Sequence, residues 1–169
     1  MASTAVVKAI NDQIAMEFKA AYTYLSMSAY FENKNLPGFA RWMRMQYEEE
    51  LAHALRLFDF LTDLGARVEL QQIPQPPADY DSTLAAFQAA LQHEQKVTAS
   101  INKIYDLAVK ESHYPTQLQM QWFVNEQVEE EKSVGDVISQ LQLVGDNGPA
   151  LLMLDKQLGG RTGEGGEGP

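Results

Sequence analysis

Four segments of this chain each carry one apolar stripe, and a glutamate breaks every stripe near its middle. In the first, the residues spaced by three and four are Val7, Ile10, Ile14, Glu17, Ala21, Tyr24, Ser28 and Phe31. The second runs Phe39, Met43, Gln46, Glu50, His53, Leu57, Phe60 and Leu64. The third is Leu84, Phe87, Leu91, Glu94, Val97, Ile101, Ile104 and Ala108, and the fourth Met120, Phe123, Gln127, Glu130, Val134, Val137 and Leu141. Residues at that spacing line one side of an α-helix, and an apolar side must be covered by other helices. The spacing predicts helices over about 5–33, 37–64, 82–109 and 116–143, with almost no strand signal. The expected fold class is all-α, a four-helix bundle.

Loop lengths set the order of the helices. The first and third connections are short, which makes helices one and two antiparallel, and likewise three and four. The middle connection is long. Gly65 can cap the second helix, and Pro74, Pro76 and Pro77 forbid a helix through the segment that follows. Asp81 or Ser82 can cap the third helix. About 17 residues at ~3.3 Å each reach roughly 55 Å, more than the ~43 Å of a helix of about 29 residues. The connection can therefore cross the length of the bundle and leave helices two and three parallel. After "DNGP", the segment "ALLMLDKQL" predicts a short fifth helix before Gly159. Residues 1–158 are thus expected as one bundle domain, and the Gly-rich 159–169 as a disordered tail. Ala150, Leu151, Leu152, Leu154 and Leu158 make the fifth helix apolar around much of its circumference. So short a helix is unstable alone. It must bury itself on a neighbouring subunit or on its own bundle end.

The glutamates also fall at one level, about 18–24 Å from the end at which helix two begins. A buried carboxylate usually has a Lys or Arg beside it, and none of the four stripes contains either. Left unpaired, each costs several kcal/mol or takes up a proton. Two divalent cations would neutralise all four. A ligand set of oxygen with one imidazole favours iron or manganese over a structural zinc. The net charge of −10 suits a protein that handles cations and argues against a nucleic-acid surface. The chain has no cysteine, which excludes disulfides, zinc–thiolate sites and thiol nucleophiles. The start "MASTAVVKAINDQ" lacks the pattern of a secretory signal, and no run approaches the ~18 apolar residues of a membrane span. A soluble cytoplasmic protein, with no membrane partner, is expected.

The segments "AMEFKAAYTYL", "EEELAHA", "QHEQ" and "NEQVEEE", in that order and on helices of these lengths, resemble the non-haem ferritins, most closely the bacterial type. The known di-iron carboxylate pattern takes one Glu from each of two helices and Glu-x-x-His from each of the others. Helix two supplies Glu50-x-x-His53, while helix four departs from the pattern with Gln127-x-x-Glu130. The resemblance implies a ferroxidase centre in which Glu17, Glu50 and His53 hold one iron. Glu50 would bridge to a second iron held by Glu94 and Glu130, with Gln127 hydrogen-bonding nearby. Carboxylates matching a third iron site are Glu49, Glu126, Glu129 and Glu130; Glu48 reads as solvated charge. The resemblance further implies Fe(II) and dioxygen or peroxide as substrates, and ferric mineral held in a shell of 24 identical subunits. The haem-binding relatives place His where Glu130 stands and Met where Ala52 stands, so no haem is expected.

Tyr24, two turns after Glu17, is either an electron donor beside the iron pair or a core tyrosine with a hydrogen-bonded hydroxyl. Trp122 reads as core packing, with a redox-active ring as the alternative; His93 and His113, off the stripes, read as surface residues. Animal heavy-chain ferritins line a three-fold pore with carboxylates near the start of helix four. "HYPTQLQMQWFVN" has none, which favours entry of iron directly through the subunit. Three competing classes fit less well. A rubrerythrin-like oxidase would lack the apolar fifth helix, a purely structural light chain would lack the ligands, and a DNA-coating miniature ferritin would carry a basic tail.

Overall fold

The structure, a computed structural model, describes residues 2–160. Five helices follow one another: α1 (Thr4–Asn33), α2 (Pro37–Asp63), α3 (Thr83–Lys110), α4 (Tyr114–Val144) and α5 (Gly148–Gly159). No strand occurs among the described residues. Their ends follow from local chemistry. The Ser3 hydroxyl accepts from the Val6 amide at 3.1 Å, and the Ser82 hydroxyl from the Ala85 amide at 3.0 Å, so Ser82 rather than Asp81 caps α3. Proline stands in the first turn of α2, α4 and α5, where its missing N–H costs no helical hydrogen bond. Gly65 takes φ +68°, the left-handed conformation that ends α2.

The long connection crosses the bundle as its length requires, held to α1 at both ends. Asn11 donates to the Arg67 carbonyl and accepts from the Glu69 amide, fixing the start of the crossing. Near the other end of α1, the Ser26 hydroxyl donates to the Pro77 carbonyl and the Tyr30 hydroxyl to the Tyr80 carbonyl. The connection thus travels the same way as α1, so α2 and α3 both run the opposite way and are parallel to each other.

The apolar core is split in two. One cluster contains Met27, Phe31, Phe39, Trp42, Met43, Phe87, Val134 and Leu141. The other contains Val6, Ile10, Leu57, Leu61, Val97, Ile101, Met120 and Phe123. Between them lies a buried polar layer, which is where the four glutamates interrupt their stripes. The expected stripe of α4 is buried at every position. At the helix ends the phase slips. Val6 rather than Val7 is buried in α1, Leu61 rather than Phe60 or Leu64 in α2, and Leu84 and Leu91 of α3 are half-buried. A stripe stepped by threes and fours cannot say which of two neighbours its terminal turn turns inward.

α5 lies across the bundle end, on its own subunit. Its Leu154 joins the first core cluster, with Leu151 and Leu158 packed against it, while Leu152 and Met153 remain exposed. α2 begins at Leu36, which has no capping side chain. The Asp155 carboxylate of α5 fills that role by accepting from the Phe39 amide at 2.9 Å. The approach is so close that a Cβ on Gly38 would fall 1.6 Å from the Asp155 carbonyl oxygen. The helix ends at Gly159, one residue beyond expectation, and residues 161–169 of the expected tail lie outside the described residues.

Candidate metal centre

Each of the four long helices delivers its stripe-breaking glutamate to the polar layer. Glu17, Glu50, Glu94 and Glu130 are buried, with His53 and Gln127, and none of the six is more than 5% exposed. They gather into two overlapping groups, Glu17–Glu50–His53 and Glu50–Glu94–Glu130, in each of which one ligand atom per residue lies within 4.8 Å of the others. Glu50 belongs to both. A third group of the same dimension joins His53 and Glu130 to the half-buried Glu126. His53 faces two ways, with Nδ1 3.4 Å from Glu50 Oε2 and Nε2 3.9 Å from Glu126 Oε1. Glu49 is half-buried, and its charge is felt by both Glu94 and Glu130. Glu129 is exposed and joins none of the three groups, because one residue is about 100° around a helix from Glu130.

No Lys or Arg is buried among the described residues. Their ion pairs, such as Lys8–Asp12 and Lys132–Asp136, lie on the surface. The glutamates instead receive neutral donors. Gln13 Nε2 donates to Glu17 Oε1 at 2.8 Å, Gln46 Nε2 to Glu130 Oε2 at 2.6 Å, and the Tyr24 hydroxyl to Glu94 Oε1 at 2.5 Å. Gln127 Nε2 donates to Glu94 Oε2 at 3.2 Å. Such donors hold a carboxylate in place without cancelling its charge. Glu17 Oε2, both oxygens of Glu50 and His53 Nδ1 are buried without a hydrogen-bond donor or acceptor. A deeply buried set of acceptors with no donor fits a cation, and the hard oxygens with one imidazole fit a divalent iron-like ion.

Electrostatics describe the same strain. Burial raises the Glu17 carboxyl to about 7. Burial first, and then the charges of Glu94, Glu17 and Glu130, push Glu50 well above the usual carboxylate range. Glu130 is likewise well above it, through burial and then Glu94 and Glu49. Glu94 is also raised by burial, against the hydrogen bonds from Tyr24 and Gln127. His53 moves the other way, down to about 4, through burial and the nearby Arg56. Its imidazole is neutral at pH 7, the form that binds metal. A cation entering these groups would take the place of the carboxyl protons.

The sequence reading brings Glu17, Tyr24, Glu50, His53, Glu94, Gln127 and Glu130 together as found. It passes over Gln13 as a partner and treats Gln46 only as a stripe residue. A signal was present for Gln13, which stands four residues before Glu17, whereas Gln46 reaches Glu130 on another helix, which spacing within α2 does not show. Trp122 is half-buried and packs edge-on against both His53 and Phe123, with the Arg56 guanidinium 4.1 Å from its ring centroid. The histidines read as surface residues are both half-buried. His93 lies close enough to Lys19 of α1 to feel its charge and is pressed down to about 4, chiefly by burial. His113 Nδ1 lies 2.7 Å from Thr116 Oγ1 at the start of α4.

A four-helix bundle with one long crossover and a buried carboxylate–imidazole centre defines a metal-binding helical bundle. Residues 7–144 match the ferritin-like domain. The chain is 35% identical over 162 residues to a bacterial non-heme ferritin of Staphylococcus aureus strain USA300, covering 96% of this chain and 98% of that one. It is 36% identical over 153 residues to a bacterial non-heme ferritin of Escherichia coli O6:H1, covering 90% and 93%. The solved open-pore ferritin of the hyperthermophilic archaeon Archaeoglobus fulgidus superposes with a TM-score of 0.94 at 44% identity, over 96% of this chain and all of that one. The chain belongs to the ferritin family, and iron storage comes with that membership. Among the described residues, no helix is long and apolar enough to cross a membrane.

Proposed function

We propose that this protein oxidises Fe(II) at a di-iron ferroxidase centre inside each subunit and stores the product as ferric mineral within a shell of 24 subunits. The observation that carries the reading is the pair of ligand groups sharing Glu50, with no buried Lys or Arg among the described residues to neutralise them. Glu17, Glu50 and His53 hold the first Fe(II), and Glu50, Glu94 and Glu130 the second, with Gln127 donating to Glu94. Two Fe(II) so placed supply two electrons to dioxygen or to peroxide. The residues do the remainder. Glu50 and Glu130 give up the protons that burial holds on them as metal enters, and His53 offers a neutral nitrogen at any pH near 7. The Tyr24 hydroxyl, already on Glu94, is placed to pass an electron or only to orient that carboxylate.

The group of His53, Glu126 and Glu130, with Glu49 beside it, supports a third iron site on the side of the pair nearer solvent; Glu129 stands apart from it. The same half-buried carboxylates mark a direct path for iron through the subunit. Haem has no part in this reading, since Ala52 supplies no ligand. The exposed Leu152 and Met153 of α5 support burial against neighbouring subunits of the shell, and the compartment that suits such a store is the cytoplasm. Stopped-flow oxidation of Fe(II) by assembled shells, with Glu50→Ala and His53→Ala alongside, tests the activity. The parent is expected to oxidise iron far faster than either variant, and equal rates in all three would refute an intrasubunit centre.

A further inference from the structure

The side-chain nitrogen of Gln127 is ringed by acceptors. It lies 3.2 Å from Glu94 Oε2, 3.3 Å from the Glu94 main-chain oxygen and 3.2 Å from Thr98 Oγ1. An amide oxygen in that position would face a carboxylate and a carbonyl with no proton between them. Of these three acceptors, Thr98 alone carries a hydroxyl proton that could relieve such a flip. Its proton is committed elsewhere, since Thr98 Oγ1 donates to Glu131 Oε1 at 2.6 Å. A threonine inside a helix ordinarily returns its proton to the carbonyl four residues back, which for Thr98 is that of Glu94. Here Glu131 draws the proton outward, and Gln127 fills the carbonyl instead. The bonds therefore run in one direction, from Gln127 to both Glu94 and Thr98, and from Thr98 to Glu131.

We infer that Thr98 and Glu131, neither of them a ligand, are positioning residues for the second metal group: they fix the Gln127 amide so that it donates to Glu94 and keeps that carboxylate turned toward Glu50 and Glu130. The inference rests on the proposed di-metal centre. If Thr98 instead donated to Gln127, the flipped amide would no longer hold Glu94. That carboxylate would keep only the Tyr24 hydroxyl, bound to its other oxygen.

Anaerobic titration of assembled, metal-free shells with Co(II), followed by its ligand-field absorption, reads each group without any turnover. Glu131→Ala frees the Thr98 proton to turn toward Gln127, so binding at the Glu50–Glu94–Glu130 group is expected to weaken by about tenfold, while binding at the Glu17–Glu50–His53 group is unchanged. On a Thr98→Val background, where no hydroxyl is left to donate to a flipped amide, the Glu131→Ala change loses this effect, and on a Thr98→Ser background it keeps it. A selective loss in Glu131→Ala that Thr98→Val removes and Thr98→Ser retains supports the inference, and parent-like affinity in Glu131→Ala overturns it. It is equally overturned if the Glu131→Ala loss persists in full on the Thr98→Val background, since Glu131 would then act through its charge alone. Parent shells that bind Co(II) at neither group would instead refute the di-metal reading itself, a result separable from either of these.

Discussion

Replacing Glu50 by glutamine should make the metal-free protein more stable while removing its capacity to bind metal. Glu50 is fully buried, neither of its oxygens has a hydrogen-bond donor, and its pKa lies well above the ordinary 4.5. A carboxyl whose folded pKa is raised binds its proton more tightly folded than unfolded. The penalty is absent below the unfolded pKa, grows as pH rises from there, and levels off above the folded pKa. At pH 7 the folded protein buries, without a donor, a carboxyl that water would solvate in the unfolded chain, which costs about 1–3 kcal/mol. Glutamine has the same shape, has no charge to suppress, and can donate to Glu17. Relief of about 1–3 kcal/mol corresponds to a Tm increase of roughly 2–12 °C for a domain of this size. Scanning calorimetry of chelator-treated shells at pH 7 measures it directly. At pH 5, close to the ordinary carboxyl value of 4.5, most of the penalty linked to ionisation is absent, so the gain should shrink. Adding a divalent cation should reverse the ranking, because only the parent gains from binding. A metal-free Glu50→Gln shell less stable than its parent at pH 7 would show that the carboxylate is satisfied by something inside the protein, and the reasoning would fail.

Other consequences are more quickly stated. Divalent metal binding should strengthen as pH rises from 5 to 8, because Glu17, raised to about 7, must lose its proton in that window while His53, pressed down to about 4, has none to lose. A Co(II) affinity flat across that range would contradict the assigned shifts. Tyr24→Phe removes the 2.5 Å hydrogen bond to Glu94 and should cost about 1–3 kcal/mol of metal-free stability; a Tm equal to the parent's would show the bond to be idle. Gly38→Ala should lift α5 from the bundle end, since the added methyl would meet the Asp155 carbonyl at 1.6 Å. Light scattering should then show loss of assembled shells, and a normal shell would show that α5 can be held another way.

Much of this architecture was legible before the coordinates. The interrupted stripes carried both the bundle and the level of its centre, because a glutamate at a stripe position can only face inward. The proline-rich connection carried the parallel placement of α2 and α3, because its reach exceeds the bundle length. What was not legible depends on contacts between distant residues. Asp155 caps α2 across 116 residues of sequence, and only the uncapped Leu36 and the bare Gly38 hinted that something must approach there. Thr98 sits off its stripe, and its pairing with Glu131 depends on how α3 and α4 are rotated about their axes. His93 looked like a surface residue for the same reason. It lies outside the stripe yet is half covered in the folded chain. Side-chain period identifies what faces the centre, and it is silent about the flanks where two helices touch.

The central claim is that Glu17, Glu50, His53, Glu94 and Glu130 exist to be neutralised by captured iron. Crystals grown metal-free, soaked anaerobically in Fe(II) and measured at the iron absorption edge, test it most directly. The account predicts two anomalous peaks in every subunit, separated by ~3.5–4 Å as in other two-metal sites and flanking the Glu50 carboxylate. Iron bound only on the outer surface, with the interior glutamates unmoved and empty of metal, would contradict it.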